Sequence, residues 1–138
     1  MVNFTLSILL QAAAVAAGGQ QDYATAYKAT QESGRPLVVL VGAEWCPGCR
    51  TMKHSVIPQL EKEGGLANVA FAYVNTDDES RLAGQLMQGS TIPQLILYHK
   101  TETGWKRQRI IGARAPSEVQ TFIEEATGAA VPKISSRQ

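Results

Sequence analysis

Cysteine is nearly absent from this chain: two residues in 138, Cys46 and Cys49, separated only by Pro47 and Gly48. Histidine is as rare, with only His54 and His99. A closed zinc site needs four ligands. Cys46, Cys49 and His54 would supply three, and only if His54 shared a helix side with both sulfurs. Excess charge is missing too: 13 Lys and Arg stand against 12 Asp and Glu, a net charge of +1 with no basic stripe. That balance gives no reason to expect nucleic acid or an anionic membrane as partner. No apolar run reaches the ~20 residues that span a bilayer, and no internal repeat marks a second domain.

What is present suits one ordinary domain, since 44% of the residues are apolar and can fill a core. The first seventeen residues stand apart. Phe4 to Leu10 is mostly apolar, residues 12–17 are small, and no charged side chain precedes Asp22. This is the pattern of a secretory signal, with Val15-Ala16-Ala17 as the cut site before Gly18. The n-region departs from that pattern by lacking Lys and Arg. Asn3, Thr5, Ser7 and Gln11 argue against a permanent anchor, and an amphipathic helix or a misplaced start is the other reading. The expected partition is a signal over 1–17, a linker over 18–22, a folded domain over 23–127 and a loose tail over 128–138. Export would place the domain in an extracytoplasmic (periplasmic or secreted) compartment; without cleavage it would be cytoplasmic.

Along the domain, Tyr23, Ala26, Tyr27 and Thr30 recur at helical spacing, and Ser33-Gly34 closes that helix. Leu37–Val41 is a strand apolar on both faces, as in the middle of a sheet covered by helices. The spacing predicts a helix from about Cys46 to Glu63, with Cys49, Met52, Val56 and Leu60 on one side. Pro58 should bend it and Gly64-Gly65 stop it. Val69–Val74 reads as a second strand. The polar turn Asn75–Asp78 can cap a helix over Glu79 to about Gln88, with Leu82, Ala83, Leu86 and Met87 inward. Gln94–His99 and Trp105–Ile111 form a hairpin across Lys100–Gly104. Pro116 opens a last helix, with Glu118 near its positive end and Val119, Phe122, Ile123 and Ala126 inward.

The cysteines therefore sit where a buried strand runs into a helix. A helix N-terminus offers unpaired N–H groups and a partial positive charge, which stabilise a thiolate. That placement suits Cys46 as a nucleophile and predicts a lowered pKa for it. Cys49, one turn further in and more buried, suits the resolving role. A structural disulfide closing so short a loop would remove little chain entropy. A redox pair is the favoured reading.

The order strand, helix, strand, helix, strand, strand, helix, with the cysteine pair opening the first of those helices, resembles the thioredoxin-like family. The resemblance covers roughly residues 23–127. Three features carry it: Trp45-Cys46-Pro47-Gly48-Cys49, then Thr91-Ile92-Pro93 before the third strand, and Gly112 after the fourth. It implies an α/β thioredoxin fold, with a central mixed sheet of four or five strands flanked by helices. It further implies a cis Ile92–Pro93 bond beside the cysteines, turning the Ile92 backbone toward an extended substrate peptide. Gly112 would leave room for that peptide, and Trp45 would shield the disulfide and pack against the partner, with Pro47 and Gly48 also at the contact. Ordinary alternatives stay open: a trans Pro starting a strand, a strand-ending Gly, a core Trp. Trp105 reads as packing.

Two departures matter. Pro47-Gly48 reverses the Gly-Pro usual in thioredoxin, and this dipeptide is a main control on redox poise in the family. Leu40 stands where many thioredoxins carry a buried Asp, six residues before the first cysteine, as proton acceptor for the resolving thiol. Glu44 or Lys53 could serve near it, or both could be solvated surface charges. The export-like start and the run Gly34-Arg35-Pro36-Leu37-Val38-Val39 look most like bacterial extracytoplasmic members.

The resemblance implies a thiol–disulfide oxidoreductase that reduces protein disulfides through Cys46 and Cys49. It would act as a monomer, need no bound cofactor or metal, and take electrons from a partner redox protein. The rivals are a disulfide-donating oxidant of the same fold and a non-catalytic binding or metal-delivery module holding a soft ion such as Cu(I).

Overall fold

The computed structural model describes residues 21–128, so the expected signal over 1–17, residues 18–20 of the linker and the tail beyond Gly128 lie outside the described residues. The elements follow the expected order: α1 Tyr23–Ser33, β1 Leu37–Gly42, α2 Pro47–Thr51, a π-helical stretch Met52–Val56, α3 Ile57–Lys62, β2 Ala70–Asn75, α4 Ser80–Leu86, β3 Gln94–Thr101, β4 Gly104–Ile111 and α5 Pro116–Thr127.

Among the described residues the sheet has four strands in the order β2-β1-β3-β4. β1 pairs in parallel with β2 and antiparallel with β3, and β3 pairs antiparallel with β4. Among the described residues no fifth strand forms. Gln21 makes only a single parallel bridge to Ala72 at the outer edge of β2, so the last linker residues belong to the sheet's margin. Asp22 also has a structural task, because its carboxylate accepts the Thr25 N–H at 2.7 Å and caps α1.

Every residue of β1 is buried, and the strand's alternation divides the core into two layers. Val38 and Leu40 face Met52, Val56, Ile57, Leu60, Val119 and Ile123 from α2 to α3 and α5. Leu37, Val39 and Val41 face Ala26, Ala83 and Leu86 from α1 and α4. Neither layer could form if β1 were amphipathic, since one face would then require water.

The long helix is interrupted differently from the expected bend. Pro58 has no N–H, and its ring crowds the carbonyl four residues back. The helix answers one residue earlier by widening: the Ile57 N–H donates to the Met52 carbonyl, five residues back. The π-helical stretch keeps Met52 and Val56 buried with Cys49 and Leu60 while passing the proline.

Other boundaries shift for local reasons. The polar turn after β2 folds on itself, with Asn75 Oδ1 accepting the Asp77 N–H at 2.8 Å, so no side chain caps α4. The β3–β4 turn is tighter than expected. Thr101 pairs with Gly104, leaving Glu102-Thr103 as a two-residue loop with Gly104 at φ 121°. Tyr27 and Phe122 are less buried than their spacing predicts: Tyr27 is 47% exposed and stacks on Tyr23 with ring centroids 5.9 Å apart, and Phe122 only edges the core. Among the described residues no helix is long and apolar enough to cross a membrane.

Leu40 lies at the centre of the layer beneath the active helix, fully buried and paired in register with Tyr73 and Leu95. Leu40→Asp removes that apolar contact and buries a carboxyl group among aliphatic side chains. The expected loss is roughly 3–5 kcal/mol in urea melts. A variant as stable as the parent would show that the site admits water.

Candidate active site

β1 ends at Gly42, and the chain turns through Ala43–Trp45 into α2. Cys46 is the N-cap of α2 with extended backbone, and Pro47 occupies the first helical position, where its missing N–H costs nothing. The Cys46 sulfur accepts the Cys49 N–H at 3.3 Å, taking one of the donors that a helix start leaves unpaired. Both cysteines are buried with Ala43, and Ile92 packs against them; Cys46 is 7% and Cys49 1% exposed.

Cys49 sits against backbone. A Cβ added to Gly42 would lie 2.8 Å from the Cys49 sulfur and 2.9 Å from its Cβ, so glycine there is a steric requirement. Burial, and then the contact with Cys46, push the Cys49 thiol up to about 11. The β1 residue that meets the Cys49 sulfur is thus Gly42, with Leu40 one step deeper in the core.

The second motif arrives from the far side. The Ile92–Pro93 bond is cis, as the resemblance implies. The Ile92 carbonyl faces the Cys46 sulfur at 3.9 Å, within reach of a weak S–H donor. Gly48 closes the gap: a Cβ there would meet Pro93 Cδ at 3.4 Å and Ala113 Cβ at 3.6 Å. Gly112 joins through backbone, donating its N–H to the Pro93 carbonyl at 2.8 Å. Its φ of 95° demands glycine, while a Cβ there would meet open space. Cys46, Cys49, Gly48, Ile92, Pro93 and Gly112 are therefore brought together, while Pro47 lies exposed between Cys46 and Gly48.

Trp45 stands at the rim. It is 67% exposed, which excludes the core reading, and its indole Nε1 donates to Asp77 Oδ2 at 3.0 Å. Glu44 and Lys53 are paired with each other, and the Lys53 Nζ lies 4.3 Å from the Tyr73 ring centroid. With 20% of its side chain exposed, Lys53 is no freely solvated charge. The Lys53 hydrogen bond holds the Glu44 carboxyl below its usual range. Burial, then the negative charges of Glu44, Cys49 and Cys46, push the Tyr73 phenol up to about 12. His54 turns outward, 3.7 Å from Glu44 Oε2, away from the thiols. Among the described residues no group of three His, Cys, Asp or Glu side chains is arranged to hold a metal ion. Trp105, 42% exposed, takes no part; it lines a cavity of about 240 Å³ with Tyr23, Tyr27 and Tyr98.

A thioredoxin-like family model matches residues 19–100. The chain belongs to the thioredoxin-like family. Solved structures agree on the fold. A thioredoxin from Thermus thermophilus is 23% identical, with TM-score 0.65, over 80% of this chain and 87% of that one. Chloroplastic thioredoxin z is 16% identical at TM-score 0.65, covering 80% and 94%. Trxlp from Edwardsiella tarda is 26% identical at TM-score 0.57, covering 75% and 94%. No curated protein gives a significant match to the sequence. Thiol–disulfide chemistry is the general class to which a thioredoxin-like chain with adjacent cysteines belongs.

Sequence reasoning passed over Gly42, Tyr73, Asp77, Gln94 and Arg109. Gly42 carried a signal, as the one residue without a side chain at the end of an aliphatic strand. The others become visible only once β2, β3 and β4 are laid beside the motif.

Two outcomes follow from Cys49 and Gly42. Gly42→Ala forces the Cys49 sulfur aside, with an expected cost of about 1–3 kcal/mol in urea melts. Raising pH should destabilise the reduced protein specifically through Cys49. Its thiol ionises near 9 when free and near 11 when folded, so between these values the unfolded chain binds fewer protons. Stability present below pH 9 is lost as pH rises toward 11. The difference in melting between the parent and Cys49→Ala, followed across that window, should fall; a flat difference would contradict the raised pKa.

Proposed function

We propose that this protein reduces protein disulfides, with Cys46 as the attacking thiol and Cys49 as the resolving one. The observation that carries this reading is the convergence of the Cys46 sulfur, the Ile92 carbonyl and the buried Cys49 sulfur at one helix start. A substrate disulfide approaching the cleft meets Cys46 first, because Cys49 lies behind it against Gly42. The Ile92 N–H, without a hydrogen bond among the described residues, and its carbonyl supply the pairing groups of an extended peptide. Trp45 and Gly112 border the same opening.

In the first step the Cys46 thiolate attacks one sulfur of the substrate, forming a mixed disulfide and releasing a substrate thiolate. Cys49 then gives up its proton and attacks the Cys46 sulfur. The second substrate thiolate leaves, and a Cys46–Cys49 disulfide remains. Two electrons pass to the substrate, and two protons complete its thiols. A donor redox protein returns two electrons to the cysteine pair, and no bound cofactor is needed. The direction rests on Cys49: burial raises its pKa, and no cation is among the groups acting on it. The reduced form therefore gains no stabilised thiolate at Cys49, which favours the enzyme's disulfide and hence electron donation. An extracytoplasmic location completes the reading and rests on the first seventeen residues alone; fractionation with N-terminal sequencing tests it.

The decisive assay is dithiothreitol-driven insulin reduction. The parent should accelerate precipitation, Cys46→Ser should not, and Cys49→Ser should accumulate a mixed disulfide detectable by mass. A reduction potential near −270 mV, the thioredoxin value, supports a reductant, whereas one near −120 mV would make the protein an oxidant. If Cys49→Ser is the variant that fails to capture substrate, the two roles are reversed.

A further inference from the structure

The loop from Met87 to Pro93 presents the Ile92 backbone, yet little in its own main chain holds it. No backbone–backbone hydrogen bond begins or ends at residues 88–92, and Gln88, Gly89, Ser90 and Thr91 are exposed. What fixes it is one side chain. Gln94, the first residue of β3, is fully buried. Its amide nitrogen donates to the Gln88 carbonyl at 2.8 Å and to the Thr91 carbonyl at 2.9 Å. Its amide oxygen accepts the Gln88 N–H at 3.1 Å and Arg109 Nη1 at 3.2 Å. Both donors and both lone pairs are used. Arg109, from β4, also donates through Nη2 to the Leu86 carbonyl at the end of α4, at 3.2 Å.

We infer that Gln94 and Arg109 are positioning residues, a side-chain clamp that sets the Ile92–Pro93 wall at the distance from Cys46 that substrate pairing requires. The clamp engages Gln88 and Thr91 and leaves the Ile92 backbone unclaimed. Both anchors of the amide lie in the loop, and the guanidinium fastens it to two further elements. A loop pinned at Gln88 and Thr91 cannot move Ile92 without breaking the partly buried hydrogen bonds of the Gln94 amide. A displacement of about 1 Å at a positioning group is enough to cost on the order of a hundredfold in rate. The proposal rests on the disulfide-reducing reading above.

The test uses Gln94→Leu and Arg109→Met in the full chain, with three measurements. Turnover of a protein disulfide reports the cleft, alkylation of Cys46 by iodoacetamide reports the thiol alone, and hydrogen exchange at the Gln88 amide reports the loop. In Gln94→Leu, kcat/KM should fall about tenfold or more, while alkylation stays within about twofold and the Gln88 amide exchanges faster. Arg109→Met should shift the same way to a smaller extent, and it decides the matter if Gln94→Leu does not fold. Unchanged turnover with a released loop overturns the clamp. So does a parallel fall in alkylation and turnover, which would mean the residues act on the thiol or on the fold. A parent protein that reduces no disulfide would sink the functional reading instead, and Gln88 exchange would still decide whether Gln94 pins the loop.

Discussion

A strand that can touch no water sets the terms for the rest of this molecule. β1 is buried along its whole length between β2 and β3, with an apolar layer on each face. Burying each of its larger side chains contributes roughly 1.5–3 kcal/mol, and its residues lie at the middle of both layers. The strand is thus held on both faces and both edges, and its end is where a site can be rigid. The cysteines follow within one turn of that end, so their positions inherit the rigidity of the sheet.

This explains which features the sequence makes legible. An aliphatic run with no polar interruption, followed by Cys-Pro-Gly-Cys, contains both the central strand and the helix start, because each is a local pattern with a local cause. The cis Ile92–Pro93 bond and Gly112 were reachable only through resemblance. Pro93 after Ile92 is compatible with either isomer, and a glycine after a strand has several uses. The π-helical stretch was half visible: Pro58 signalled a break, but whether a helix bends or widens depends on what must remain buried. Here Met52, Val56 and Leu60 all stay in one core, and widening preserves that. The tasks of Gln94 and Arg109 had no local signal, since the groups they satisfy lie on α4, its following loop and two strands.

The proton of Cys49 follows from the same burial. Gly42 lets the sulfur come within contact of the strand backbone, and the closeness that excludes water also removes stabilisation of the thiolate. Leu40 adds apolar bulk to the layer beneath. Nearby charge is organised differently: Glu44 and Lys53 neutralise each other at the margin of the site, with the Lys53 ammonium over the uncharged Tyr73 ring. The chain thus combines a firmly packed layer under the cysteine-bearing helix with a Cys49 thiol that ionises reluctantly.

The two walls of the cleft are consequently held by different means. The cysteine wall is fixed by main-chain geometry: a buried strand, an N-cap and a helix one of whose end donors, the Cys49 N–H, is satisfied by Cys46 itself. The proline wall hangs from one main-chain bond, Gly112 to Pro93, and from the side chains of Gln94 and Arg109. Main-chain bonds survive almost any substitution of the residues that make them, whereas a side-chain clamp is lost with a single change. Variation at Gln94 or Arg109 can therefore shift the proline wall while leaving the main-chain geometry of the cysteine wall intact. In the proposed reading, the wall that pairs with a substrate peptide is the one that single substitutions can move.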